Sequence, residues 1–107
     1  MKKNDSNIKK AIKYLNNNEC IAIPTETVYG LAANAYSKKA VSRIYKLKKR
    51  PNNNPLIVHY YDLNDLKKDC EIDKNFNKFY KKFCPGPISF VLKLKKKSKI
   101  SKKITNN

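Results

Sequence analysis

Ile21-Ala22-Ile23-Pro24-Thr25-Glu26-Thr27-Val28-Tyr29-Gly30-Leu31-Ala32-Ala33-Asn34-Ala35 is the stretch on which the fold turns. Cys20 to Ile23 is a short, wholly apolar run ahead of a proline, which suits a strand in a sheet covered on both faces. From Pro24 to Gly30 the run gives way to two hydroxyls, a carboxylate and a phenol, so a loop or turn is expected there, entering Leu31-Ala32-Ala33. Gly30 can take a positive φ or admit a close neighbour to the backbone. No phosphate-cradling glycine loop is present. Polar groups crowded after a buried strand fit a ligand-binding turn, and equally a turn whose hydroxyls are satisfied internally.

Downstream, Ser37 begins a helix with Ala40, Val41, Ile44, Tyr45 and Lys48 along one side. The helix should stop before Pro51, because the residue preceding a proline is driven from the helical region. Lys48-Lys49-Arg50-Pro51-Asn52-Asn53-Asn54-Pro55 then leads to Leu56-Ile57-Val58-His59, a second candidate buried strand. Arg50 can fork onto phosphate oxygens while Lys48 acts as a point charge. Two prolines would stiffen the loop and reduce the entropy lost on binding an anion. The competing role for Lys48 and Arg50 is to satisfy the last carbonyls of the helix. His59, the only histidine, has no metal-ligand partners at a recognisable spacing.

Upstream, Asp5 or Ser6 can cap a helix with Ile8, Ala11, Ile12 and Leu15 on one face, ended by Asn16-Asn17-Asn18. Toward the C-terminus, Asp62 suits the cap of a short turn carrying Leu63 and Leu66. A further helix from about Asp73 places Phe76, Phe79, Tyr80 and Phe83 in an aromatic stripe, expected to pack in the core. Cys84-Pro85-Gly86-Pro87 is a rigid turn, and residues 88–94 read as a third strand. From Lys95 onward the chain is lysine-rich with few apolar residues, so a loose tail is expected. Strands alternating with helices make the class α/β. The expected organisation is one domain over residues 1–95 and a disordered tail over 96–107.

The chain has 107 residues, 40% of them hydrophobic, and a formal charge of +17. Nothing in it reads as a membrane span or a leader, so the expectation is a cytoplasmic protein. Cys20, Cys70 and Cys84 form no CxxC pair, and neither a zinc site nor a redox dithiol is expected. The charge fits a phosphate or RNA surface. It also fits a nucleotide-composition bias, because lysine and asparagine share A-rich codons and both abound.

The two glycines and five prolines all lie within residues 24–30, 50–55 and 85–87. Residues that shape the backbone thus collect at strand ends, where α/β sheets bind ligands. Three stretches, residues 21–35 (IAIPTETVYGLAANA), 44–59 (IYKLKKRPNNNPLIVH) and 85–93 (PGPISFVLK), together resemble the YrdC/Sua5 family of threonylcarbamoyl-adenylate synthases. The resemblance implies a twisted open mixed α/β sheet around a positively charged cavity. It implies that threonine captures bicarbonate as a carbamate, which attacks the α-phosphate of ATP and expels pyrophosphate, with Mg²⁺ accompanying ATP. The product would feed the machinery that transfers threonylcarbamoyl to tRNA, and contact with tRNA or RNA is included. By position, Thr27 and His59 would contact threonine, and Lys48, Arg50 and Asn54 would contact ATP. Thr25 and Tyr29 would shape the pocket.

Two departures stand out. Cys84 sits where the family usually has tryptophan. No later segment matches the family's arginine-containing strand or its Ser-x-Asn motif, so the sheet is expected to be incomplete at the C-terminus. Two other functions fit parts of the sequence: a non-catalytic, basic RNA-binding remnant, and a related carbamoyl-transfer domain of hydrogenase maturation. The absence of zinc-finger cysteine pairs speaks against the latter.

Overall fold

The computed structural model describes residues 5–25 and 27–105. The chain divides into two units, one of Met1–Val58 with Ile100–Asn107, the other of His59–Lys99. The class is α/β: five helices and two strands are assigned among the described residues.

In the first unit, α1 spans Asp5–Asn16. Ser6 therefore lies inside the helix, while the Asp5 side chain, the other expected cap, is outside the described residues. Ile8 and Ile12 remain about half exposed, so the apolar face is only partly covered. The asparagine run does end the helix. Asn18 takes a left-handed φ of 62°, its N–H donates to the Leu15 carbonyl at 3.1 Å, and the Glu19 N–H donates to Tyr14 at 3.0 Å. Asparagine tolerates that conformation better than most residues.

β1 (Ile21–Pro24) pairs antiparallel with β2 (Tyr29–Ala32), with Ile21 opposite Ala32 and Pro24 opposite Tyr29. This corrects two expectations. The chain returns to strand at Tyr29 rather than looping through Gly30, and β1 alternates between half-buried and exposed instead of being covered on both faces. A four-residue hairpin loop, residues 25–28, accounts for the polar cluster. Pro24 closes the strand, a position where its missing N–H disrupts little. Gly30 has no positive φ, and a Cβ there would meet Thr25 Cγ2 at 3.4 Å, an ordinary contact.

α2 (Lys38–Lys48) begins as expected: the Ser37 hydroxyl accepts from the Ala40 N–H at 3.1 Å. Ala40, Val41, Ile44 and Tyr45 are buried, and Lys48 is exposed. The core of this unit is completed by residues expected to be loose. Ile100 and Ile104 are about 5% exposed, and α5 (Lys102–Thr105) packs against α2. The Ser101 N–H donates to Ala35 at 2.9 Å, and the Leu56 N–H to Ile104 at 3.2 Å. Ile100 and Ile104 are buried while Lys102 and Lys103 are exposed, so a lysine-rich segment is ordered with its few apolar side chains inward. Residues 56–58 are not a strand, and Ile57 is exposed.

In the second unit, Asp62 caps α3 (Leu63–Asp69) and Asp73 caps α4 (Lys74–Phe83), accepting from the Asp65 and Phe76 N–H groups at 2.9 and 2.8 Å. Phe76 is buried edge-on against Phe90 at 4.9 Å. Phe79 and Phe83 are exposed and stack on each other, so only part of the aromatic stripe is core. The buried Asp69 carboxylate accepts from the Tyr60 and Ser98 hydroxyls, each at 2.7 Å. The third strand reduces to one antiparallel bridge, Cys70 with Leu94, supported by the Glu71 N–H donating to Lys93. The Cys84–Pro85 peptide is cis.

Candidate functional site

Within the hairpin loop, Thr25 is occupied with its own backbone. Its Oγ1 accepts from the Val28 N–H at 3.2 Å and more distantly from Thr27, and its hydroxyl donates to the Val28 carbonyl. The Thr25 N–H donates to the same carbonyl at 3.0 Å. This shapes the loop, with Thr27, Val28 and Tyr29 exposed. Thr27 is exposed, and its hydroxyl has no partner among the described residues. The Tyr29 phenol is also exposed. Glu26 lies outside the described residues.

The loop over residues 50–55 is held at three points. Lys49 takes a left-handed conformation, φ 51° and ψ 36°, so that its N–H donates to Lys46 and the Arg50 N–H donates to Tyr45 at 3.0 Å. The helix carbonyls are thus satisfied by backbone, not by the Lys48 and Arg50 side chains. The Arg50 guanidinium instead reaches across the loop and donates from Nη2 to the Pro55 carbonyl at 2.9 Å. Beneath the loop, the buried Tyr45 hydroxyl lies 2.7 Å from the Asn54 carbonyl and 3.1 Å from that of Lys103. Asn54 itself donates its N–H to Pro51 at 3.1 Å.

Arg50 Nε is buried and without a hydrogen-bond partner. A desolvated donor left unpaired costs on the order of 1–3 kcal/mol. Planar forked recognition of phosphate is what arginine does best, and the terminal nitrogens of the same guanidinium are the ones that would make it. Lys48 is exposed at the last turn of the same helix, and the Asn54 side chain is exposed on the same loop. The structure therefore assembles Lys48, Arg50 and Asn54 in one element, and Thr25, Thr27 and Tyr29 in another. His59 is exposed at the start of the second unit.

Sequence reasoning missed the role of Tyr45. Its place on the buried side of α2 was plain, but nothing local indicated that its hydroxyl would reach a loop carbonyl nine residues on. Among the described residues no three His, Cys, Asp or Glu side chains gather where they could hold a metal ion. The cysteines are free thiols, and burial pushes those of Cys20 and Cys70 above their ordinary value. No helix among the described residues is long and apolar enough to cross a membrane.

Comparison with known proteins shows the family. Residues 13–107 match the Sua5/YciO/YrdC family model, described as telomere recombination. The chain is 43% identical over 93 residues to the threonylcarbamoyl-AMP synthase of Bacillus subtilis, an alignment covering 86% of this chain and 27% of that protein. It is 34% identical over 96 residues to a putative threonylcarbamoyl-AMP synthase of Methanocaldococcus jannaschii, covering 86% of this chain and 46% of the relative. The crystal structure of Pyrococcus abyssi Sua5 complexed with L-threonine superposes with a TM-score of 0.90 at 36% identity, over 98% of this chain and 31% of that one. The chain thus spans between about a quarter and a half of the length of these relatives. With the family model matching nearly its whole length, this chain belongs to the Sua5/YciO/YrdC family.

Proposed function

We propose that the chain carries the ATP- and threonine-contacting segments of a threonylcarbamoyl-AMP synthase acting in tRNA modification. The observation that carries this reading is Arg50, a guanidinium fixed across a proline-bounded loop with its Nε buried and unpaired. The relatives named threonylcarbamoyl-AMP synthase, and the neighbour complexed with L-threonine, support the choice of reaction and of amino acid.

In the proposed reaction the threonine amine forms a C–N bond with bicarbonate and water is lost, giving a carbamate. A carbamate oxygen then bonds to the α-phosphorus of ATP, the bond to the bridging oxygen breaks, and pyrophosphate leaves. Such chemistry asks the protein for position and charge neutralisation more than for covalent help. Arg50 would fork onto phosphate oxygens, Lys48 would add a point charge and Asn54 a neutral donor. Thr27 and His59 are the proposed threonine contacts, with Thr25 and Tyr29 shaping the loop around them. Mg²⁺, which shares phosphate charge when bound, would travel on ATP oxygens, because the described residues offer no carboxylate cage. A cytoplasmic location and hand-over to the tRNA threonylcarbamoyl-transfer machinery complete the proposal.

The test is pyrophosphate release from ATP, assayed with threonine and bicarbonate each present or withheld. Release that requires both is expected. Release that continues without threonine would sink the assignment.

A further inference from the structure

The Asp69 carboxylate has no part in the proposed chemistry, yet it is only 3% exposed. Taking a carboxylate out of water is costly unless its oxygens are hydrogen-bonded. Its two oxygens serve different segments. Oδ1 accepts from the Ser98 hydroxyl and Oδ2 from the Tyr60 hydroxyl, each at 2.7 Å. The backbone of Asp69 is held as well. Its carbonyl accepts from the Lys95 N–H at 2.7 Å, and the next residue, Cys70, bridges to Leu94.

Ser98 and these backbone bonds already tie the end of α3 to residues 93–98, so the framework is complete without Tyr60. The bond to Tyr60 holds something else. Tyr60 lies between His59 and Tyr61, and the three are exposed, half-buried and exposed in turn. Tyr61 is 99% exposed. An extended chain gives that order, because neighbouring side chains leave it on opposite sides. Rolling the segment about its own axis would swing His59 inward only by pulling the phenol off Oδ2. The anchor on one side therefore sets the side on which the imidazole stands.

We infer that Asp69 is a positioning residue for His59, acting through the Tyr60 hydroxyl to hold the imidazole outward for the amino-acid substrate. The inference rests on the proposed contact between His59 and threonine. Its energetic logic is preorganisation: a group already held in its binding orientation loses less entropy when the ligand arrives. His59, Tyr60, Asp69 and Ser98 all belong to the second unit, whereas the loop carrying Arg50 belongs to the first. Threonine affinity should therefore depend on the anchor, and ATP affinity should not.

The experiment is NMR on the full chain, in which His59 is the only histidine and its imidazole C–H signals identify themselves. Threonine and ATP are titrated separately into the unmodified chain, Tyr60→Phe and Ser98→Ala, each variant removing one of the two hydroxyls from the carboxylate. Circular dichroism checks the fold, and all affinities are measured below the lowest thermal midpoint. Tyr60→Phe should move the His59 signals of the unliganded chain and weaken threonine binding about three- to tenfold, the scale of one hydrogen bond. Its ATP affinity should stay unchanged. Ser98→Ala should leave the His59 signals and both affinities as they were. In a His59→Ala background, with threonine followed at the Thr27 amide, Tyr60→Phe should cost no further affinity. Equal threonine losses in Tyr60→Phe and Ser98→Ala, or a Tyr60→Phe loss that persists without His59, would reduce Asp69 to framework and overturn the proposal. Threonine that moves the His59 signals with the same affinity in the unmodified chain and in Tyr60→Phe would overturn the positioning alone. Threonine that leaves those signals in place in the unmodified chain would overturn the contact itself, and the positioning with it.

Discussion

The Tyr45 hydroxyl sits 2.7 Å from the Asn54 carbonyl, so the floor of the loop that carries Arg50 is hung from the core face of α2. Because the same oxygen is 3.1 Å from the Lys103 carbonyl, one buried phenol joins the loop to the C-terminal turn. Removing it in Tyr45→Phe keeps the ring and takes away the single O–H that the two carbonyls share. We expect a loss of about 1–2 kcal/mol in urea-induced unfolding. A weaker ATP affinity with unchanged threonine affinity should accompany it. Wild-type stability would show that the loop does not depend on this hydroxyl.

Lys49 adopts a left-handed conformation that glycine takes without a Cβ penalty. Lys49→Gly should therefore raise stability by about 0.5–1 kcal/mol, visible as a higher thermal midpoint. A lower midpoint would mean that the lysine side chain contributes more than its backbone costs.

Gly86 has the opposite constraint. A Cβ there would lie 2.5 Å from the Phe83 carbonyl oxygen, which is backbone and cannot rotate away. Gly86→Ala should destabilise the second unit by about 1–3 kcal/mol, the usual scale of forced overpacking. Amide exchange resolved over residues 59–99 would report it, and unchanged protection there would refute it.

Burial raises the thiols of Cys20 and Cys70, and in Cys70 the adjacent Asp69 charge adds to the effect. On unfolding they ionise at a lower pH than when folded, so the unfolded state binds fewer protons through that interval. Stability should be constant below the ordinary thiol range and decline as pH rises through it toward the folded values. Cys20→Ala/Cys70→Ala should flatten that alkaline decline in pH-dependent unfolding; an equally steep decline would assign it to other groups.

Much of the helical framework was legible in the sequence because its signals are local. Asp62 caps the helix it was expected to cap, Ser37 and Asp73 stand where helices were expected to begin, and Asn18 ends α1 by a backbone geometry that asparagine favours. The strands were less legible because pairing is not local. Residues 56–58 and 88–94 are as apolar as β1, yet no extended ladder forms on either among the described residues. Ile100 and Ile104 looked too sparse to pack, yet both are buried, and the helix carrying Ile104 packs against α2. At the candidate site, Lys48 and Arg50 could be named from residue type, and Asn54 only from the family resemblance. The unpaired Nε of Arg50 and the support from Tyr45 needed coordinates.

The most direct test of the central claim is a titration of the full chain with ATP, followed by backbone amide shifts in NMR, with threonine titrated separately. The account predicts saturable ATP-induced shifts centred on residues 48–55. Arg50→Ala should weaken them on the order of tenfold or more, with Arg50→Lys failing to restore the forked contact. Threonine should perturb Thr27 and be much less affected by either substitution. ATP shifts that avoid residues 48–55, or that persist unchanged in Arg50→Ala, would contradict it.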